Sequence, residues 1–370
     1  MKVGVLTSSR ADYGIYLPLL KLIKEDSYFE LEIIAFGTHL SKFHGYTVED
    51  IYKDGYSKIY EISSILTNDN EVAVASAYGL TVLKFSEFWA INSFDIVFCL
   101  GDRFEMSAAV QAGIPFGVRF AHIHGGETTL GAIDNIYRHQ ITLASSIHFT
   151  AAEPFSKKIA SIIGNDSNIF TVGSLSLDDI DAFVPIAKEK FYKKFNLRDK
   201  PFILVTFHPE TVSVTRNVDY AIEMKNALDK IIGMMDVVIT MPNADTEGTI
   251  YRKELLDLKK QFPNDVKLIE SFGKENYFTA MTYAEAMVGN TSSGIIEAAS
   301  FKKYVVNVGD RQKGRLQSMN ILNAPFDSKE IYKKINKAIG LGSYTGKNVY
   351  FRNGAAKNIV NTIKKLDEKL

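Results

Sequence analysis

The apolar residues of this chain fall into short unbroken runs, separated by longer stretches in which they recur every three or four positions. Val3–Thr7, Leu31–Phe36, Asp95–Leu100, Gly117–Ile123, Ile147–Thr150 and Ile169–Val172 read as buried strands. Helical periods lie between them, such as Leu19, Leu20, Leu22 and Ile23, then Met106, Ala109 and Val110. A second series follows with Phe202–Phe207, Val237–Thr240, Val266–Ile269, Ala286–Val288 and Val305–Val308. Continuous apolar strands alternating with helix-length segments imply parallel sheets covered on both faces, here twice over. The expected fold class is therefore α/β with two Rossmann-like domains. The charged stretch from Ala187 to Lys200 has no strand signal and reads as the junction. It gives a first domain over 1–185 and a second over 186–354, with the boundary good to about ten residues.

In open parallel sheets ligands sit beyond the carboxyl ends of the strands, so the residues after each run are the candidates for chemistry. Those residues are Ser8-Ser9-Arg10-Ala11-Asp12, Gly37-Thr38-His39, Gly101-Asp102-Arg103, His122-Ile123-His124-Gly125-Gly126-Glu127, His208-Pro209-Glu210-Thr211, Pro242-Asn243-Ala244-Asp245, Gly289 to Gly294 and Gly309-Asp310-Arg311-Gln312. One polar strand end is ordinary turn chemistry, whereas so many in both halves point to a cleft lined from both sides.

The stretch Gly289-Asn290-Thr291-Ser292-Ser293-Gly294-Ile295-Ile296-Glu297 follows an apolar strand and reads as the opening of an amphipathic helix. A helix N-terminus after a Gly/Ser loop holds unpaired N–H groups and the positive dipole end, which suits phosphate. Glu297, one turn on, is placed to accept from ribose hydroxyls; the plainer reading is that Ser293 or Gly294 caps a helix. Asp102 either caps the helix expected near Arg103 or serves as an acid–base carboxylate. Asp134 and Arg138 are an i,i+4 surface pair or a catalytic carboxylate with its own cation. His122 and His124 share a strand face, yet their spacing with Glu127 and His139 matches no compact zinc signature. Arg10, Arg311 and Arg315 are suited to clamp phosphate, because a planar guanidinium bonds two oxygens at once.

Composition narrows the classes. The 43 basic and 43 acidic residues cancel, and no basic stripe for nucleic acid appears. No apolar run approaches the length of a membrane span, and the N-terminus turns polar by Ser8, so a cytoplasmic protein is expected. The single cysteine, Cys99, lies inside an apolar strand and reads as core filler.

Taken in order, Ser9-Arg10-Ala11-Asp12-Tyr13, Gly101-Asp102-Arg103-Phe104-Glu105, His122 to Glu127, Ile133-Asp134 with Arg138-His139, His208-Pro209, Pro242-Asn243, Gly289 to Gly294 and Arg311-Gln312 to Gly314-Arg315 span nearly the whole chain. This set resembles the hydrolysing UDP-N-acetylglucosamine 2-epimerases of sialic acid and legionaminic acid synthesis. Non-hydrolysing relatives tend to follow Gly-Asp with threonines and to carry an Arg-rich run after the histidine matching His208; neither feature is present.

The resemblance implies a glycosyltransferase-B-like architecture, a UDP-sugar in the interdomain cleft, a C-terminal helix (about 355–370) returning to the first domain, and a homodimer or tetramer. It implies no cofactor and no metal. The reaction it implies is cleavage of UDP-N-acetylglucosamine through 2-acetamidoglucal to N-acetylmannosamine and UDP. Asp102 and Asp134 match acid–base carboxylates, and His124 or Glu127 fills a third such role. Arg10, His208, Asn243, Ser292, Ser293, Glu297 and Arg315 match positions that contact UDP, while His39, Arg103 and Arg138 are candidates to face the sugar. Two other readings remain open: a sugar with a second acetamido group at C4 and no 6-hydroxyl, or a glycosyltransferase. A UDP-sugar sensor would have no use for the acid–base set.

Overall fold

The computed structural model describes residues 1–42, 45–66, 71–130, 133–210, 214–242 and 248–368. It divides into two compact units. The first comprises Met1–Glu127, Ile133–Asp179 and Tyr350–Leu370, and the second Thr128–Ala132 and Ile180–Val349.

The first unit is built on seven parallel strands, β1 (Lys2–Thr7), β2 (Glu30–Phe36), β3 (Ile59–Ile62), β4 (Ile96–Leu100), β5 (Phe120–Ile123), β6 (Ile147–Thr150) and β7 (Ile169–Thr171), in the order β3-β2-β1-β4-β5-β6-β7. Alternate residues of each strand enter different cores, as a pleated sheet requires. Val3, Val5, Phe98 and Leu100 pack with Tyr16, Leu19 and Ile23 of the helix Arg10–Glu25 and with Ile359 and Ile363 of the helix Ala355–Asp367. Leu6, Val97 and Cys99 pack on the other face with Phe85, Trp89, Met106 and Ile141. Both faces are covered, which is why these strands read as unbroken apolar runs. Cys99 is fully buried, and burial pushes its thiol up to about 12.

The second unit carries β8 (Phe202–Thr206), β9 (Asp236–Thr240), β10 (Val266–Ile269), β11 (Met287–Gly289), β12 (Val305–Val308) and β13 (Ile321–Ala324), all parallel, in the order β10-β9-β8-β11-β12-β13. Ile203, Val205, Val237 and Val306 face one core, while Phe202, Leu204 and Val238 face the other. Phe191 and Tyr192, from the helix Lys188–Phe195, are buried in that second core. The charged stretch from Ala187 to Lys200 thus contains a packed helix. Burial of a side chain as large as Phe191 contributes about 1.5–3 kcal/mol.

Two strands escape the apolar pattern. β3 and β13 are sheet edges with no fully buried run, and Glu61 and Asn323 interrupt them with exposed polar positions. The run from Gly117 becomes strand only at Phe120, because Gly117 is the left-handed cap (φ 66°) of a 3-10 turn over Ile114–Phe116. No helix among the described residues is long and apolar enough to cross a membrane.

Candidate active site

In the first sheet the strand order reverses between the parallel neighbours β1 and β4, so their carboxyl ends open a crevice suited to ligands. After β1, the buried Asp12 carboxylate accepts from Ser8 N (3.0 Å), Ser8 Oγ (2.6 Å) and Ser9 Oγ (2.9 Å), while Ser9 Oγ caps the next helix by accepting Asp12 N. These bonds make Asp12 a builder of the loop rather than a reactant. Arg10, the first residue of that helix, points its charge into solvent.

After β4, Gly101 takes φ 78° and turns the chain so that Asp102 follows at the strand end. Asp102 keeps 25% side-chain exposure and accepts a hydrogen bond from Arg138 Nη2. Arg138 itself is 2% exposed. Its Nη1 donates to the His124 carbonyl at 3.1 Å and lies 3.5 Å from Glu127 Oε2. His124, just past β5, adopts φ 64°, a left-handed conformation that is uncommon outside glycine. Its Nε2 accepts from Leu175 N (3.4 Å), so Nδ1 carries the hydrogen and donates to Glu127 Oε1 (3.0 Å). One buried cation therefore joins two carboxylates and the His124 carbonyl, and the second carboxylate fixes the imidazole. Burial works against the Arg138 charge, but Asp102 and Glu127 outweigh it and hold the guanidinium above its ordinary pKa.

This arrangement decides several expectations. Asp102 is not a helix cap; Arg103 occupies the N-cap of Phe104–Gly113, and that helix has eight of its ten residues buried instead of an amphipathic face. Arg138 bonds Asp102, 36 residues away, and not Asp134 on its own helix. Asp134 heads the helix Asp134–Ala144, partly buried, and adds a favourable charge toward Arg138. Arg103 is 41% exposed and pairs with the buried Glu105 at 3.0 Å, whose charge raises its pKa. His39 departs most from its expected place facing a sugar. It is 0% exposed, its Nε2 bonds Thr7 Oγ1 (2.9 Å) and its Nδ1 bonds Thr47 Oγ1 (2.8 Å), and burial lowers it to about 4.

The second sheet reverses between β8 and β11, again at the strands whose ends carry the candidates. Gly289 is obligatory there. It has φ 144°, and a Cβ on it would sit 1.8 Å from Thr206 O on the neighbouring strand. Asn290 then clamps the end of β8 with both amide atoms: Oδ1 accepts from His208 N (2.7 Å) and Nδ2 donates to His208 O (2.8 Å). Gln312 Nε2 donates to Asn290 O (2.8 Å), and the buried Glu210 accepts from Arg311 N (3.0 Å) and Asp310 N (3.2 Å). Arg311 is occupied by Pro209 O (2.7 Å). The His208 ring lies close to these groups, and burial lowers it to about 4, so at neutral pH it offers hydrogen bonds and no charge.

The helix at the Gly/Ser loop is shorter than its sequence implies. It runs only Ser292–Ile296, and its cap is Thr291, whose side chain accepts from Ser293 N; Glu297 closes it as C-cap. Ser292 is exposed, and Ser293, Glu297 and Arg315 are partly buried. Asn243 lies outside the described residues. Sequence reasoning passed over Asn290, Glu210 and Gln312 as supports of this loop set, although the adjacency of Asn290 to Gly289 and of Glu210 to His208-Pro209 carried the signal. Among the described residues no group of three or more His, Cys, Asp or Glu side chains is arranged to hold a metal ion.

A family model described as UDP-N-acetylglucosamine 2-epimerase matches residues 21–364. The chain belongs to the UDP-N-acetylglucosamine 2-epimerase family. The UDP-N,N'-diacetylbacillosamine 2-epimerase (hydrolyzing) of Legionella pneumophila is 32% identical over 94% of this chain and 92% of that protein. The polysialic acid biosynthesis protein P7 of Escherichia coli is 29% identical over 98% and 93%. The crystal structure of UDP-GlcNAc 2-epimerase from Neisseria meningitidis bound to UDP-GlcNAc superposes with a TM-score of 0.82 at 16% identity, covering 99% of this chain and all of that one, which is agreement of fold. As a family member the chain has two Rossmann-like domains of the glycosyltransferase-B-like type, each built on one of the two sheets above.

Proposed function

We infer that this family member is a hydrolysing 2-epimerase, converting UDP-N-acetylglucosamine to N-acetylmannosamine and UDP. The observation that carries the reading is the partly exposed Asp102 carboxylate, held on the buried Arg138 beside Glu127 and His124. In the first half-reaction a base removes the C2 proton, the C1–O bond to the diphosphate breaks, and UDP leaves with that electron pair to give 2-acetamidoglucal. In the second a proton returns to C2 and water adds at C1. No net oxidation occurs, so two groups with separated proton affinities suffice. Asp102 and Asp134 fill these roles. Glu127 and His124 are the two candidates for a third, and their mutual bond makes them act as one unit. Arg103 is assigned toward the sugar, and the buried Arg138 acts by holding Asp102. Ser292, Ser293, Glu297, His208, Asn243 and Arg315 are assigned to UDP, with Arg10 on the diphosphate, where donors stabilise the charge that develops as it leaves.

A second substrate is favoured by a specific likeness: the Legionella pneumophila relative is named for UDP-N,N'-diacetylbacillosamine, and its 32% identity extends over 94% of this chain. Proton NMR in D₂O with each UDP-sugar distinguishes them. N-acetylmannosamine carrying deuterium at C2, with stoichiometric UDP, is the expected result. Turnover of only the 4-acetamido sugar would transfer the reading to that substrate, and a UDP-sugar product retaining its nucleotide would overturn hydrolysis.

A further inference from the structure

We propose that His122 is a positioning residue, one ring that holds both the backbone bearing Asp102 and the helix bearing Arg138; the proposal rests on the reaction inferred above. His122 lies on β5 and is 0% exposed, so it does not touch a substrate. Its Nε2 is 2.9 Å from the Gly101 carbonyl, an acceptor only, so Nε2 carries the hydrogen and donates. Gly101 is held from its other side too, its N–H donating to Ile123 O at 3.0 Å. The residue immediately after this doubly held glycine is Asp102.

The opposite nitrogen, Nδ1, carries no hydrogen and accepts from Thr142 Oγ1 at 3.2 Å, whose one hydroxyl hydrogen it shares with the Arg138 carbonyl 2.9 Å away. Thr142 lies one turn beyond Arg138 on the helix Asp134–Ala144. A single imidazole therefore spans from the strand-end turn that carries the carboxylate to the helix turn that carries its cation. Proton transfer through this path leads nowhere, because it ends on backbone carbonyls at both sides. The charged and titratable groups around the ring are His148, Arg138 and His124; each disfavours a second proton, and with burial they bring His122 down to about 3. The ring stays neutral near pH 7, and its contribution is geometric.

The test compares wild type with His122→Leu, which removes both bonds, and His122→Gln, whose amide N–H reaches toward Gly101 O. For His122→Leu we expect kcat to fall about 10²-fold or more, as for small misplacements of catalytic groups, with KM and UDP affinity within about threefold of wild type. His122→Gln is expected to recover to within about tenfold of wild-type kcat and to keep both limbs of the pH–rate profile in place. A His122→Leu enzyme within about threefold of wild-type kcat would overturn the proposal, as would a folded, UDP-binding His122→Gln enzyme as inactive as the leucine variant, since the imidazole itself would then be essential. Should His122→Leu not fold, Thr142→Val cuts the link to Arg138 alone, and an unchanged kcat in it overturns the proposal. Should the wild type turn over neither UDP-sugar, the inferred reaction fails and crystal structures decide the positioning claim separately. Asp102 and Arg138 parted in His122→Leu and rejoined in His122→Gln would support it; an unmoved pair would overturn it.

Discussion

Arg138, 2% exposed, donates to Asp102, which keeps 25% of its side-chain surface. The pair is asymmetric by design of the fold: the cation is sealed beneath the strand ends, and the carboxylate alone retains a face open to a ligand. The single charge of this buried guanidinium faces both carboxylates, Asp102 and Glu127, and offsets their repulsion.

Arg138→Met removes the cation that faces both Asp102 and the 2%-exposed Glu127. We expect a loss of roughly 3–5 kcal/mol in stability, as when one partner of a buried ion pair is removed, together with at least a hundredfold loss of turnover. Thermal melting and NMR-monitored UDP release check the two effects separately. A variant melting within about 2 °C of wild type would show that the network carries little of the fold's stability.

Asp102→Asn and Asp134→Asn keep shape and lose proton transfer. Each is expected to retain less than about a tenth of wild-type turnover, the lower end of what a positioned acid or base supplies, with UDP affinity within about threefold. Calorimetric titration of UDP alongside the rate assay separates binding from chemistry. Turnover above that tenth in either variant removes the residue from the mechanism.

Three imidazoles are buried neutral, each 1% exposed or less: His39 and His148 are brought down to about 4 by burial, and His122 to about 3. Their unfolded values are near 6.5, so between pH 6.5 and about 4 the unfolded chain binds protons that the folded protein refuses. Their contribution is complete above pH 6.5 and is lost as the pH falls toward 4. Each contributes up to about 1.4 kcal/mol per pH unit in that window, about 4 kcal/mol together at the steepest. The melting temperature should fall steeply from pH 6.5 to 4.5 at constant ionic strength; a flat profile would show that these rings titrate normally.

Gly289→Ala places a methyl 1.8 Å from Thr206 O at φ 144°. The clash and the backbone strain together should cost on the order of 3 kcal/mol and weaken UDP binding at least tenfold by moving Asn290 and Ser292. Gly79→Ala is the control. It lies within the helix Glu71–Ile91, with nothing within 4 Å of the added Cβ, and should stabilise by about 0.5–1 kcal/mol. Urea melts and UDP titrations of both variants give the comparison.

The central strands were legible because a strand covered on both faces is mostly apolar, with few polar positions such as the buried Glu32 of β2. β3 and β13 were not: each is an edge strand with an exposed polar residue, Glu61 or Asn323, inside it, whereas the edge strands β7 and β10 have no exposed position. Asp102 was legible by its place after β4, but its partner was not. Local spacing favours Asp134 with Arg138 at i,i+4, and only the packing of the helix Asp134–Ala144 beside β5 and the helix Phe104–Gly113 turns the guanidinium to Asp102. The short helix at Ser292 shows the same limit. Ser292, Ser293 and Gly294 are weak helix formers, and the chain leaves the helix at Glu297 for a turn in which Lys302 takes φ 59°.

The thiol of Cys99 is the chain's only one, and it is sealed in the first core with its proton held up to about 12. Maleimides and disulfide reagents are attacked by thiolates, so the native protein should be transparent to them. A cysteine introduced by Ser167→Cys, in the exposed loop that enters β7 at its amino end, would then be the one labelled position, on the side of the sheet remote from the candidate residues. The molecule accepts a spectroscopic probe without first being stripped of its own sulfur.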